Sequence, residues 1–382
     1  MTDAMLLAER VGELVRIPSV NPLQSGDAGI TGERRLAEHL ANRAEALGAE
    51  VTLDVVEDDR PNLYARFAGD TDQVLVIDVH LDTVAVEHMT VDPFDGRIAE
   101  GRVYGRGAVD TKATFALVLS VLEELRAVGR RPTPTVYVVG TIAEELGGLT
   151  GARRFAQWVS ERNLRIDRLV VGEPTLCAPV HGHKGAVGVE FTVHGHAAHS
   201  GYPELGRNAI GAAARIVAAM DAEHERLTAQ SPTTPVGCGT LSVTEIRGGL
   251  ARNIVPDRCD VFVGRRLVPG EDPHEVFEQM TAMAAGVVAP CTVHTRIADG
   301  LAFPAFYTPA DDPLIERITA LSGESPATAG YGTNCMAYGS LAASTVVFGP
   351  GSIDQAHQAV EWVDIAELVR AADIYRQLLT GG

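Results

Sequence analysis

Apolar positions along the chain follow two rhythms, and each predicts a different kind of element. Four segments, QVLVIDVH (73–80), TVYVVGT (135–141), RLVVGE (168–173) and STVVFG (344–349), are nearly continuous apolar runs. Runs of this length suit parallel strands covered on both faces. Residues 2–16, 31–47 and 112–128 instead repeat their apolar positions at helical spacing. Strands and helices in alternation predict an α/β fold with a doubly wound, mostly parallel sheet.

The middle of the chain reads differently. GAVGVEFTVHGH (185–196) alternates apolar and polar residues, as a half-exposed antiparallel strand does. A helix follows near 207–229, then strands near 237–247 and 257–267, a helix near 272–286 and a strand near 291–298. This β-α-β-β-α-β order is that of the split βαβ, or ferredoxin-like, α+β motif. It predicts a domain over 178–292 inserted between two parts of the α/β domain, 1–177 and 293–382.

Length and charge agree with a two-domain protein and narrow its partners. A chain of 382 residues is too long for one simple core. Lys and Arg number 32 against 50 Asp and Glu, a net charge of −18, which argues against nucleic acid or an anionic membrane as partner. No apolar run reaches the roughly 18–20 residues that span a bilayer. The opening MTDAMLLAERVGELVRIPSV has neither the basic nor the apolar region of a secretory signal. Cysteines at 177, 238, 259, 291 and 335 form no C-x-x-C pair and are odd in number, which predicts a reducing, cytoplasmic setting.

Ligands in open α/β sheets collect at the carboxyl ends of the strands. His80 in DVHLDTV, Glu144 and Glu145 in TIAEELGG, Glu173 in VGEPT and His357 in FGPGSIDQAHQ all fall there. Asp110, in the glycine-rich GRVYGRGAVDTK, joins them. Any one of these residues alone reads as a loop residue, a helix cap or a structural histidine. Together they crowd four carboxylates, and without a cation some would have to protonate. Three carboxylates and two imidazoles around two divalent ions, with one hydroxide, would leave a neutral core and one carboxylate unspent. Mixed imidazole and carboxylate ligation suits zinc, and cobalt or manganese also fit.

Taken in order, HLDTV, GRGAVDTK, AEELGG, GEPT and GPGSIDQAHQ resemble the M20 family of di-zinc amidohydrolases and peptidases. The resemblance covers essentially the whole chain and is strongest to the acetylornithine deacetylase and succinyl-diaminopimelate desuccinylase branch. It implies that His80, Asp110 and Glu173 hold one metal and that Asp110, Glu145 and His357 hold the other. Glu144 is then the free general base, and the Asp82 side chain accepts a hydrogen bond from His80. The inserted domain becomes a lid and dimerisation domain. Its HGHAAHSGYPELGRNAI segment carries His199, which the resemblance places in the site of a second subunit, as a donor to the oxyanion. His194 and His196 read as solvent-facing strand residues. Asn253 and Arg266 match the family pattern as substrate-binding residues, and Arg suits an α-carboxylate because its planar fork pairs bidentately.

The implied activity is hydrolysis of the amide bond of an N-acyl amino acid, foremost an N-acetylated one such as N-acetylornithine. Dipeptidase, carboxypeptidase and desuccinylase activities use the same chemistry. A catalytically silent metal-binding protein on this scaffold would have lost the base or a ligand, and all are present. Four departures from the family pattern bear on substrate choice: DTKA after the metal Asp, Gly264 two positions before Arg266, HQAVEWV at the tail and Asn334 in GYGTNCMAYG.

Overall fold

The computed structural model describes residues 3–232 and 234–381. Helices α1 (Ala4–Val15) and α2 (Arg34–Ala46) lead into strands β1 (Glu50–Glu57), β2 (Arg60–Phe67) and β3 (Val74–His80). Then come α3 (Ala113–Ala127), β4 (Thr135–Thr141), α4 (Thr150–Glu161) and β5 (Ile166–Val171). A second unit, Gly182–Tyr307 with Thr328–Gly332, carries β6 (Gly185–His194), α5 (Ala209–Thr228), β7 (Thr240–Gly248), β8 (Arg258–Leu267), α6 (Pro273–Val287) and β9 (Thr292–Phe303). The first unit resumes with α7 (Pro313–Ser322), β10 (Ala342–Val347) and α8 (Ile365–Thr380).

In the first unit the strand order is β1-β2-β4-β3-β5-β10. The last four strands are mutually parallel, while β1 and β2 form an antiparallel edge hairpin. That hairpin lies outside the predicted strands, because β1 is a half-exposed edge and β2 mixes Arg60 and Asn62 into its buried run. Helix α3 is buried on nearly every side, which explains its almost unbroken apolar sequence. Because β3, β4, β5 and β10 run in one direction, the loops after His80, Thr141, Val171 and Val347 leave the same edge of the sheet. Strands β5 and β10 end two residues before the predicted limits, so Glu173 lies in the loop beyond its strand.

One buried amide shapes the loop after β4. Asn62 donates to the Gly151 carbonyl at 2.8 Å and to the Tyr64 hydroxyl at 2.9 Å, and accepts from the Ile142 amide at 3.1 Å. These bonds bracket residues 143–149, which carry Glu144 and Glu145. Gly151 lets the two ends of the bracket close, since a methyl group there would sit 2.4 Å from the Ile142 carbonyl oxygen.

The second unit is an antiparallel sheet in the order β7-β8-β6-β9, with the first and third strands central, as the ferredoxin-like motif requires. Its core joins Val187, Val189 and Phe191 of β6 to Ile216 and Met220 of α5 and to Met280 of α6. The boundary expected near 292 is too early. Strand β9 pairs with β6 from Thr292 opposite His194 to Phe303 opposite Ala186, so the unit runs on to Tyr307. The ends of the unit pair with each other, Gly182 opposite Tyr307. On the first unit, the Thr308 amide donates to the His181 carbonyl at 2.7 Å. Among the described residues no helix is long and apolar enough to cross a membrane.

Replacing Asn62 with Leu strands the Ile142 amide and the Gly151 carbonyl without partners, each at about 1–3 kcal/mol. Asn62→Leu is therefore expected to lose about 2–4 kcal/mol of stability, read from the urea unfolding midpoint.

Candidate metal centre

His80 closes β3 and is almost fully buried. Its Nδ1 lies 2.8 Å from the backbone carbonyl of Asp82, which as an acceptor holds the proton on Nδ1 and turns Nε2 inward. Nε2 lies 3.0 Å from Asp110 Oδ1 and 3.9 Å from Glu173 Oε2. The other oxygen of Asp110, Oδ2, faces His357 Nε2 at 3.2 Å, and Glu145 lies 3.0 Å from the same nitrogen. Asp110 thus presents one oxygen to each imidazole. Ligand atoms of His80, Asp110 and Glu173 lie within 4.8 Å of one another, as do those of Asp110, Glu145 and His357.

Electrostatics explain what such a cluster lacks. Burial pushes the Glu144 and Glu173 carboxyls well above the usual carboxylate range. Burial, and then the charge of Asp110, lifts Glu145 to about 7. Asp110 goes the other way, because hydrogen bonds from His357 and His80 outweigh its burial. Asp110 and Glu145 raise His357 to about 10, and His80 also rises, since its carboxylate partners overcome the effect of burial. Without a cation, protons supply the positive charge that these carboxylates require. Two divalent ions would replace those protons, and the oxygen and nitrogen donors fit zinc, cobalt or manganese.

Glu144 falls in neither ligand set. Ala143 before it has a left-handed φ of 60°, and Gly147 and Gly148 continue the turn at 118° and 73°. Of the two adjacent carboxylates, only Glu145 reaches His357. What holds the turn is Asp82, in a role other than the expected one. Its carboxylate lies 3.7 Å from His80 Nδ1 and accepts instead from the amides of Glu144 and Glu145, both at 3.1 Å, and from Asn21 Nδ2 at 2.8 Å. With three donors on two oxygens, the carboxylate is occupied, and the Asp82 backbone carbonyl serves the imidazole.

Sequence reasoning missed Asn21, whose amide also donates to the Leu146 carbonyl at 2.7 Å and so clamps both sides of the diacidic turn. It also missed Glu361 and Arg106, a fully buried pair beside Asp110. Neither contact leaves a spacing or a periodicity in the chain.

The remaining expected residues lie in the second unit. His199 belongs to a two-residue strand paired with Ile254–Val255, and the Ser200 amide donates to the Asn253 carbonyl at 2.9 Å, so His199 and Asn253 share one ribbon. The Gly201 amide donates to His199 Nδ1 at 3.0 Å, which places the proton of the neutral ring on Nε2. Arg266, on β8, is exposed, whereas its neighbour Arg265 is buried against Glu271. His194 and His196 are exposed, as expected.

A curated acetylornithine deacetylase from Myxococcus xanthus is 32% identical over 355 residues, covering 88% of each chain. An M20 family metallo-carboxypeptidase from Sulfolobus solfataricus has the same fold, with a TM-score of 0.78, 19% identity and 99% of both chains covered. A dinuclear metal-binding M20 peptidase from Bacillus subtilis superposes with a TM-score of 0.71 at 16% identity, over 98% of both chains. Residues 76–381 match the family model described as Peptidase family M20/M25/M40. With that match across most of its length, the chain belongs to peptidase family M20/M25/M40 and is a metal-dependent amidohydrolase.

Proposed function

We propose that the enzyme hydrolyses N-acyl amino acids, with N-acetylornithine the leading substrate by likeness to the Myxococcus xanthus deacetylase. The observation that carries the reading is the shared Asp110 carboxylate, with one oxygen toward each imidazole and a carboxyl, Glu144, left over beside the two ligand sets. His80, Asp110 and Glu173 would hold one divalent ion, and Asp110, Glu145 and His357 the other. Bound there, the ions would polarise the scissile carbonyl and lower the pKa of a water enough for it to yield hydroxide near neutral pH.

The chain's own residues do the rest. Glu144, half-buried and raised well above the usual carboxylate range by desolvation, takes the proton of the attacking water and returns it to the departing amine. Asp82 and Asn21 hold the turn that aims it. His199, with its proton on Nε2, is a donor suited to the oxyanion, and we assign it to the site of a second copy of the chain. The edge strand β7 and the exposed Ile210, Ile246 and Leu250 of the same unit support a homodimer through that unit. Arg266 and Asn253 are assigned to the substrate, Arg266 to its α-carboxylate. A cytoplasmic setting fits the unpaired cysteines.

Metal-free protein is expected to take up two equivalents of zinc near neutral pH and to release protons as it does so. His357, raised to about 10, must shed its proton to become a ligand, so affinity rises with pH. Calorimetry in buffers of different ionisation enthalpy reads the proton count. The loaded enzyme should then release acetate from N-acetylornithine, within a panel of N-acetyl and N-succinyl amino acids and dipeptides. A preference for the dipeptides would make it a peptidase, and no hydrolysis with two zinc ions bound would overturn the reading.

Glu144→Gln should retain both metals and lose roughly 10²–10⁴-fold in kcat, the range for removal of a general base. Glu145→Gln should instead weaken one metal site, as elemental analysis and zinc titration would report. The dimer assignment is checked by mixing Glu144→Gln and His199→Ala chains under subunit exchange. Each homodimer should be nearly inactive, and the mixture should recover activity because one of its two sites has neither defect.

A further inference from the structure

Arg106 and Glu361 form a buried ion pair, 1% and 0% exposed, with Arg106 Nη1 2.5 Å from Glu361 Oε2. Neither residue belongs to a ligand set. A pair this deep gains little over apolar side chains of similar volume, because desolvating two charges offsets their attraction. Its geometry suggests what else the pair does.

The second oxygen of Glu361, Oε1, accepts from two consecutive backbone amides, Val109 at 3.0 Å and Asp110 at 3.2 Å. Asp110 has non-helical φ and ψ of −121° and 85° within its turn, so Glu361 supplies an acceptor that the turn does not. The carboxylate thereby fixes the peptide leading into the residue whose side chain must face both imidazoles.

The pair also joins the two loops that meet at Asp110. Glu361 lies four residues beyond His357, and its own carbonyl accepts from the Gly105 amide at 3.0 Å. Immediately after it, Trp362–Asp364 pairs antiparallel with Arg102–Tyr104, which lead into the Asp110 loop. On the other side, Arg106 Nη2 donates to the Ala85 carbonyl at 3.1 Å and lies 3.3 Å from His88 Nε2. That nitrogen is 2.9 Å from the His357 carbonyl oxygen.

We propose that Glu361 is a positioning residue for the metal centre, setting the backbone of Asp110 and, through Arg106, its register against the His357 loop. The inference rests on the two-metal reading above. It assigns Glu361 a share of the metal affinity without contact to either ion.

Two variants test it. Glu361→Gln keeps the shape, but it must turn an NH2 group toward either the two amides or Arg106, so a donor meets a donor. The double variant Arg106→Met/Glu361→Leu removes both charges together and leaves neither orphaned, so the metal-free protein should still fold, with a lower melting temperature because the Val109 and Asp110 amides lose their acceptor. Zinc affinity, measured by chelator competition on metal-free protein, should fall roughly 10–100-fold in both, the range for partners of metal ligands. A purely structural pair would lower the melting temperature too, but would leave the zinc affinity of the folded variants alone. Wild-type zinc affinity in either folded variant overturns the positioning role. A wild-type chain that binds no zinc overturns the two-metal reading, and this role with it.

Discussion

Asp110 has two carboxylate oxygens, and each faces a different imidazole, His80 on one side and His357 on the other. Nearly everything else in the first unit serves that arrangement. His80 comes from the end of β3 and His357 from the long segment after β10, separated by hundreds of residues in the chain. The four parallel strands β3, β4, β5 and β10, which end on one edge, bring them to the two oxygens of the same carboxylate. The carboxylate is buried, so its charge cannot be left to solvent. Imidazolium protons satisfy it, and a divalent ion on each side would take their place.

Holding this arrangement strains the backbone. Ala143, Leu149 and His357 adopt left-handed φ of 60°, 54° and 60°, a conformation that costs side-chain-bearing residues about 1–2 kcal/mol each. All three lie in the loops that carry Glu144, Glu145 and His357. The surrounding bonds hold them in place: Asn62 brackets the first loop and Asn21 and Asp82 clamp its turn, while paired strands anchor the segment after His357.

The parallel strands were legible because burial on both faces leaves an uninterrupted apolar run. The candidate ligands were legible because such strands deliver their next residues to one edge. Glu144 and Glu145 stood out as neighbours after a strand, although the structure is needed to see that only Glu145 reaches His357. The role of Asp82 was misread. Its partners are the backbone amides of Glu144 and Glu145, and any sequence would offer those donors. Glu361 and Arg106 were invisible for the same reason. The boundary near 292 was drawn ahead of the strand read at 291–298, although that strand completes the inserted motif, and the polar His294 and Arg296 of this edge strand hid its run on to Phe303.

Residues 182–307, nearly all of the second unit, leave the first at His181 and return at Thr308, where the two residues are already joined by a backbone hydrogen bond. For the metal-bearing sheet, the whole insertion is topologically a tight turn. Its length adds little closure entropy, because that term grows only with the logarithm of the excursion, and a pre-paired stem removes much of what remains. The first unit can therefore assemble its ligands around a stub, with the insertion free to diverge in sequence, lengthen or exchange for another module while the metal chemistry stays unchanged. Within one architecture, the segment assigned to hold the ions and the segment assigned to read the substrate can vary at separate rates.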